Sequence, residues 1–261
     1  MRNFVGTICT EFIKAKNTFA WWLVILGAAF MPLFVAFVFL SKGEYLVPQQ
    51  GHNPWDDFTE MSWKGMGFMY TPLFIVLLVC LFLNIENKNN TWKHILTQPI
   101  SKSGIYIGKL VTLMTFVAIF YILYIPFWIS SGFLVGMVNS ELQLTSHIPD
   151  YGLLFSLCFH SFIASLGILS LHFLISLRVK NMIIPIAFAV VCCIIWVVMF
   201  QGRATEIIYF PYAYHYSSVS LPDWIPLKMF GMFPEHEFYS LGYFIAFTGI
   251  GYWDFTRNFR G

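Results

Sequence analysis

Phe19-Ala-Trp-Trp-Leu-Val-Ile-Leu-Gly-Ala-Ala-Phe-Met-Pro-Leu-Phe-Val-Ala-Phe-Val-Phe-Leu40 contains no Asp, Glu, Lys or Arg. As a helix at about 1.5 Å per residue it reaches about 33 Å, enough to cross a bilayer core of about 30 Å. The same property recurs along the chain. Spans are predicted at about 19–40, 68–85, 110–131, 153–177, 182–200 and 238–253. The last is the shortest, about 24 Å as a helix, and needs polar ends or a thinned bilayer. Across the whole chain 58% of residues are hydrophobic and 11% charged; soluble domains carry about 25% charged residues. The expected fold class is an all-α membrane protein with six transmembrane helices. Five cysteines and a net charge of +2 argue against a disulfide scaffold and give no basic field for nucleic acid.

Charge placement orients the spans. With both termini cytoplasmic, the inside segments hold every basic residue except Lys42, Lys64, Arg203 and Lys228, out of 15. That is the asymmetry expected of cytoplasmic flanks. The expected location is therefore the cytoplasmic (inner) membrane, multi-pass. The first apolar stretch begins too late and runs too long for a cleaved signal peptide.

Residues 1–18 read as an amphipathic interfacial helix. Phe4, Val5, Ile8 and Phe12 form an apolar stripe facing the lipids, and Arg2, Glu11, Lys14 and Lys16 mark the wetter side. Residues 19–261 read as one six-helix domain. The outside loop 41–67, with Asp56, Asp57 and His52, reads as a solvated loop, since its spacing matches no metal site. Within the outside segment 201–237, the apolar run Ile225–Phe233 between Pro222 and Pro234 reads as a re-entrant or interfacial hairpin before the last helix. In the fourth span, His160 and His172 stand 12 residues apart on different faces; they read as neutral, hydrogen-bonded histidines at helix contacts. The small residues of that span, including Ser161, Ser165 and Gly167, read as a close-packing face toward protein, such as a second permease.

The inside loop 86–109 has the most pattern: Glu86-Asn-Lys-Asn-Asn-Thr-Trp-Lys-His-Ile-Leu-Thr-Gln-Pro-Ile-Ser-Lys-Ser-Gly-Ile-Tyr-Ile-Gly-Lys109. Asn90 or Thr91 is placed to cap a two-turn helix that Pro99 stops. Trp92, Ile95 and Leu96 fall on one face, while Lys93, His94 and Thr97 take the others. Ser103 is placed to cap the next helix. A helix so short is marginal alone and needs something to pack on, a membrane surface or a partner. Gly104…Gly108-Lys109 is not a phosphate loop, because three residues separate the glycines and Leu110 follows the lysine.

This loop, from Glu86 through Thr91-Trp92-Lys93, Leu96-Thr97-Gln98-Pro99 and Gly108-Lys109-Leu110, resembles the cytoplasmic loop of type-2 ATP-binding-cassette (ABC) exporter permeases. Asn90 stands where that family usually has Gly, and Lys102 where it has Arg. The resemblance implies a permease subunit without catalytic residues or a metal of its own. It implies export of a hydrophobic or amphipathic substrate, driven by separate ATPase subunits that bind ATP and Mg. It also implies a second permease copy or paralogue. Trp92, Ile95 and Leu96 would be the ridge docking the ATPase, with Thr91 as cap, Pro99 at the exit, Lys93 alongside, and Glu86 and Lys109 able to pair. The interfacial helix, with Phe4, Ile8 and Phe12, would also touch the ATPase. Two other classes stay open: an intramembrane lipid- or acyl-modifying enzyme using groups such as His52, His215, His236, Glu235 and Glu237, and a non-transporting membrane anchor.

Overall fold

A computed structural model describes residues 2–16, 18–48, 51–88, 91–97, 100–226, 228–230 and 233–259. The N-terminal helix α1 (Arg2–Lys16) is followed by α2 (Phe19–Ser41), whose start is capped by the Thr18 hydroxyl accepting the Ala20 N–H. Helix α3 (Pro54–Gly65) runs through a π-type turn at Met66–Tyr70 into α4 (Thr71–Lys88). A stub, α5 (Trp92–Leu96), precedes the long α6 (Lys102–Val138). Then come α7 (Tyr151–Arg178) and α8 (Ile183–Gln201), short 3-10 turns at Thr205–Tyr209 and Pro211–Ala213, α9 (Tyr214–Ser217), and α10 (Glu235–Arg257). Among the described residues, five helices are long and apolar enough to cross a membrane: Phe19–Ser41, Pro54–Asn87, Lys102–Val138, Tyr151–Arg178 and Ile183–Gln201. Helix α10 has the length but is not among those five; its ends carry Glu235, Glu237, Asp254 and Arg257, and tyrosines and glycines interrupt its apolar middle.

The loop expected at 41–67 is largely helix. Asn53 accepts the Trp55 N–H, Pro54 stands at the first helical position, and Asp56 and Asp57 fill the first turn, all favourable at a helix N-terminus. Trp55, Phe58, Thr59, Ser62 and Trp63 form one buried face, so the acidic residues are the wet side of an amphipathic helix rather than a free loop. Trp55 Nε1–H donates to the Leu144 carbonyl at 2.9 Å. A Cβ on Gly132 would collide with the Trp55 ring, so the small residue in α6 is spent on this internal contact.

Helix α6 begins earlier than expected, at Lys102, because Ser101, not Ser103, is the cap: its hydroxyl accepts the Gly104 N–H at 3.1 Å. Ser103 instead pairs with the Tyr252 hydroxyl at 2.9 Å. Of the described residues in the run 225–233, Ile225 is buried while the others are not. Met229–Phe230 and Phe233–Pro234 make a short antiparallel ladder, and Met229 and Phe230 are half exposed. What packs into the helices lies upstream, where Ile207, Tyr212, Ala213, Tyr214 and His215 are buried.

The small-residue face of α7 is occupied within this chain, chiefly by α10 and α4. Gly167 N–H donates to Ser240 Oγ at 3.1 Å, and that hydroxyl donates to the Ile163 carbonyl at 2.8 Å. Glu237, at the start of α10, meets His160 in the first half of α7, and Asp254, near the end of α10, meets Arg178 at the end of α7. Helices α7 and α10 therefore run parallel, from a distal face that carries α3 and α9 to a proximal face that carries α1, the stub and the C-terminal turn.

Candidate functional site

On the proximal face the chain buries a lysine. Lys109 sits two turns into α6 and is 0% exposed. Its ammonium donates to Glu86 Oε1 at 2.5 Å and to Glu11 Oε2 at 2.7 Å. It also lies 5.3 Å from the ring centroids of Phe82 and of Trp92, within cation–π range. Lys14, partly exposed, closes the network on Glu11 Oε1 at 2.8 Å and stands 3.6 Å from Glu86 Oε1. Two ammonium groups thus face two carboxylates, and the cluster is neutral. Burial alone would raise the Glu11 carboxyl; the Lys109 and Lys14 charges outweigh it and hold the group below its ordinary value. One buried ammonium therefore ties α1, the end of α4 and the start of α6 together.

The structure reverses two expectations here. Glu11 is not on the wet side of α1: Thr7, Glu11 and Ala15, at successive turns, form its buried face. Ile8 and Phe12 flank that face and are half buried, with Phe12 against Phe116 at 5.5 Å between ring centroids. A pattern of apolar residues alone cannot reveal a stripe built around an ion pair. Of Phe4, only the helical backbone is described.

The second reversal concerns the ridge. Trp92 is 3% and Ile95 9% exposed. The Trp92 ring stands edge-on to Phe259 at 4.9 Å and to Phe255 at 6.0 Å, and its indole N–H donates to Asn87 Oδ1 at 2.7 Å. The something that the short helix needs is the chain's own C-terminal turn. Leu96 is half buried. Thr91 occupies the cap position without a side-chain capping bond; its carbonyl accepts the Ile95 N–H, and its own N–H donates to the Glu86 carbonyl. The backbone of Lys93 is helical; Asn90 and Pro99 lie outside the described residues. Turned to solvent are Thr97 and Ile100, the latter on the rim of a cleft of about 290 Å³ walled by Thr10, Glu11, Lys14, Glu86 and Ile95.

A second polar cluster, on the distal face, draws together His160, His172, His215, His236 and Glu237, which the sequence places on separate segments without showing how they pair. His160 Nδ1 lies 2.9 Å from both oxygens of Glu237. Ser218 Oγ lies 3.2 Å from His236 Nε2 and donates to Glu237 Oε1 at 3.5 Å. His215 Nε2 pairs with Ser165 Oγ at 2.9 Å, and that hydroxyl with Tyr121. His172 pairs with the Tyr212 hydroxyl. Ser218 and His236 do not make a nucleophile and base. The orienting acid must bind the far imidazole nitrogen, whereas Glu237 stands 3.7 Å from the same Nε2 and Nδ1 has no partner. His52 pairs with Asp57 on the surface, away from this group. Among the described residues, no group of His, Cys, Asp and Glu is arranged to hold a metal ion.

A family model described as ABC-2 family transporter protein matches residues 7–196. The chain belongs to the ABC-2 transporter family. No curated protein matches its sequence. The ABC-2 match begins at Thr7, inside α1, and runs to Trp196 in α8, so it contains the whole Glu11–Glu86–Lys109 network. It stops short of Phe255 and Phe259, which cover the stub. ABC-2 membership makes this chain a multi-pass membrane component of an ABC transporter, one that is not itself catalytic.

Proposed function

We propose that this chain is the permease half of an ABC exporter, moved by separate ATPase subunits that hold ATP and Mg and expelling a hydrophobic or amphipathic substrate. The observation that carries the reading is the Lys109 lock. It makes α1, the α4 end, the stub and the α6 start one body at the proximal face, so a push on any of them moves the ends of two apolar helices together. A motor changes such an equilibrium only by binding its states differently, and a rigid contact patch lets it do so.

The contact is reassigned from the buried ridge to the rim that remains exposed, around Ile100 and the outer side of α1. The excess of Lys and Arg in the proximal segments supports a cytoplasmic proximal face and an inner-membrane location. Helix α10, running parallel to α7 from Glu237 to Asp254, is the proposed sixth crossing, which returns the C-terminus to the side of the N-terminus. Six crossings make half a pathway, so a second copy or a paralogue completes it.

Purification in mild detergent tests the reading. An ATPase subunit is expected to co-elute with the wild-type chain, and Ile100→Glu is expected to weaken that association while leaving the fold intact. An assembly lacking any ATPase, with transport unaffected by Ile100→Glu, would overturn it.

A further inference from the structure

The distal cluster has a property that transport does not require. His215 and His236 are 2% and 1% exposed. Each spends Nε2 on a serine hydroxyl, Ser165 on α7 and Ser218 after α9. Each has an Nδ1 with no partner, as does the neighbouring Tyr214 hydroxyl. A neutral imidazole tolerates this, since only one of its nitrogens carries a proton. A protonated imidazole carries two N–H donors and a charge. In this packing the second donor would point at nothing, in a place closed to water, which is among the costliest arrangements in a protein interior.

The titratable surroundings offer little relief: one carboxylate oxygen, Glu237 Oε1, stands 3.7 Å from His236 Nε2, on the side already bonded to Ser218. From α7, His160 reaches Glu237 and opposes a charge on His236. From α10, His236 opposes a charge on His215. Glu237 is shared among His160, which reaches both oxygens, Ser218 and the His236 Nε2 side, and it does not reach the unpartnered Nδ1 of His236, while Glu235 accepts from Tyr239 and stands 3.9 Å from Lys228. From α6, Tyr121 is committed to Ser161 and Ser165. Tyr243 stacks on Tyr214 and donates to the Tyr209 carbonyl.

The segment that carries His215 is lodged against the hinge of the second apolar helix. A Cβ on Gly67, in the π-type turn, would lie 2.7 Å from the His215 carbonyl oxygen and 2.9 Å from Tyr216 Cα. The backbones meet there with no side chain between them. Trp196 Nε1–H donates to the Phe68 carbonyl at 2.7 Å, fixing the same turn from α8. Any outward movement of residues 211–218 therefore uncovers the π-type turn.

We propose that residues 211–218 form an acid-released plug: its closed seat at the π-type turn holds only while His215 and His236 are neutral, and protonation from the distal side favours its withdrawal. Burial pushes the His215 imidazole down to about 3 and, with His160 nearby, the His236 imidazole down to about 4. A hydrated, withdrawn imidazole returns to its ordinary value near 6.5. The withdrawn form thus binds more protons, and it gains as pH falls below that value. Each imidazole favours it by about 25-fold between about pH 7 and about pH 5. Glu237 acts the other way, because burial raises its carboxyl in the closed form; two imidazoles against one carboxyl leave a net gain for withdrawal.

Hydrogen exchange on the full chain in lipid nanodiscs tests this, with intrinsic exchange rates corrected for pH. Protection of peptides covering 211–218 is expected to fall at least tenfold between about pH 7 and about pH 5, while α7 peptides keep theirs. A His215→Gln, His236→Gln variant is expected to lose that dependence, and His52→Gln, altering an exposed histidine, to keep it. Wild-type protection that is equal at the two pH values would overturn the proposal without reference to any variant. So would a dependence that survives in a folded double variant. Neither result bears on whether an ATPase docks at the opposite face.

Discussion

Replacing Lys109 by Met removes the ammonium and leaves a side chain of similar length. Glu11 is 3% and Glu86 2% exposed, so both carboxylates are stranded. Lys14 remains, but it is partly solvated, and such pairs contribute about 0–1 kcal/mol. Breaking a buried pair by deleting one partner costs about 3–5 kcal/mol. At about 2–4 °C per kcal/mol for a chain of this size, the melting temperature in detergent is expected to fall by about 6–20 °C, read from tryptophan fluorescence or from the surviving monodisperse peak after heating. The cost comes from uncompensated charge, so neutralising the acids should return it. In the Lys109→Met background, Glu11→Gln with Glu86→Gln is expected to recover most of the lost stability, because a buried ion cluster replaced as a unit is often near neutral. A Lys109→Met protein as stable as its parent would refute the reasoning. So would a triple variant no better than Lys109→Met alone.

Glu11 gives a pH prediction. Its carboxyl is lowered in the fold, so its contribution is complete above the ordinary value of 4.5 and is lost as pH falls through the lowered one; protease protection of α1 should decline in that acid range and not above it. Trp92→Ala is expected to destabilise the chain by about 3–5 kcal/mol by emptying the pocket under the stub, and a double-mutant cycle with Phe259→Ala should return a coupling of about 0.5–1.5 kcal/mol. Gly132→Ala drives a methyl into the Trp55 ring and should cost about 1–3 kcal/mol in thermal unfolding.

The apolar helices were legible because the requirement that makes them is local: a stretch crossing hydrocarbon must be apolar along its whole length. Their ends were not, because helices outrun the apolar stretch. Helix α6 starts at Lys102 and ends at Val138, using a serine cap and polar turns that a hydropathy window discards. Helix α3 was written in the sequence as Asn53-Pro54 followed by Trp55, Phe58, Ser62 and Trp63 at helical spacing, but Asp56 and Asp57 read as a wet loop. The pairing of Glu86 with Lys109 was visible as two opposite charges closing one loop. Its third member was hidden, because Glu11 lies 98 residues from Lys109 and a charged residue on an amphipathic helix is ordinarily its solvated side. Trp92 shows the same limit from the apolar side. Periodicity marks a face to be buried without naming what buries it, and here the cover comes from Phe255 and Phe259, at the other end of the chain.

The claim that the proximal face is gripped by a separate motor is tested most directly by a photo-crosslinking residue at position 100, activated in intact cells. The account predicts one covalent product carrying an ATPase subunit, with a yield that changes when ATP is depleted. Crosslinking to lipid alone, or to proteins without a nucleotide-binding domain, would contradict it.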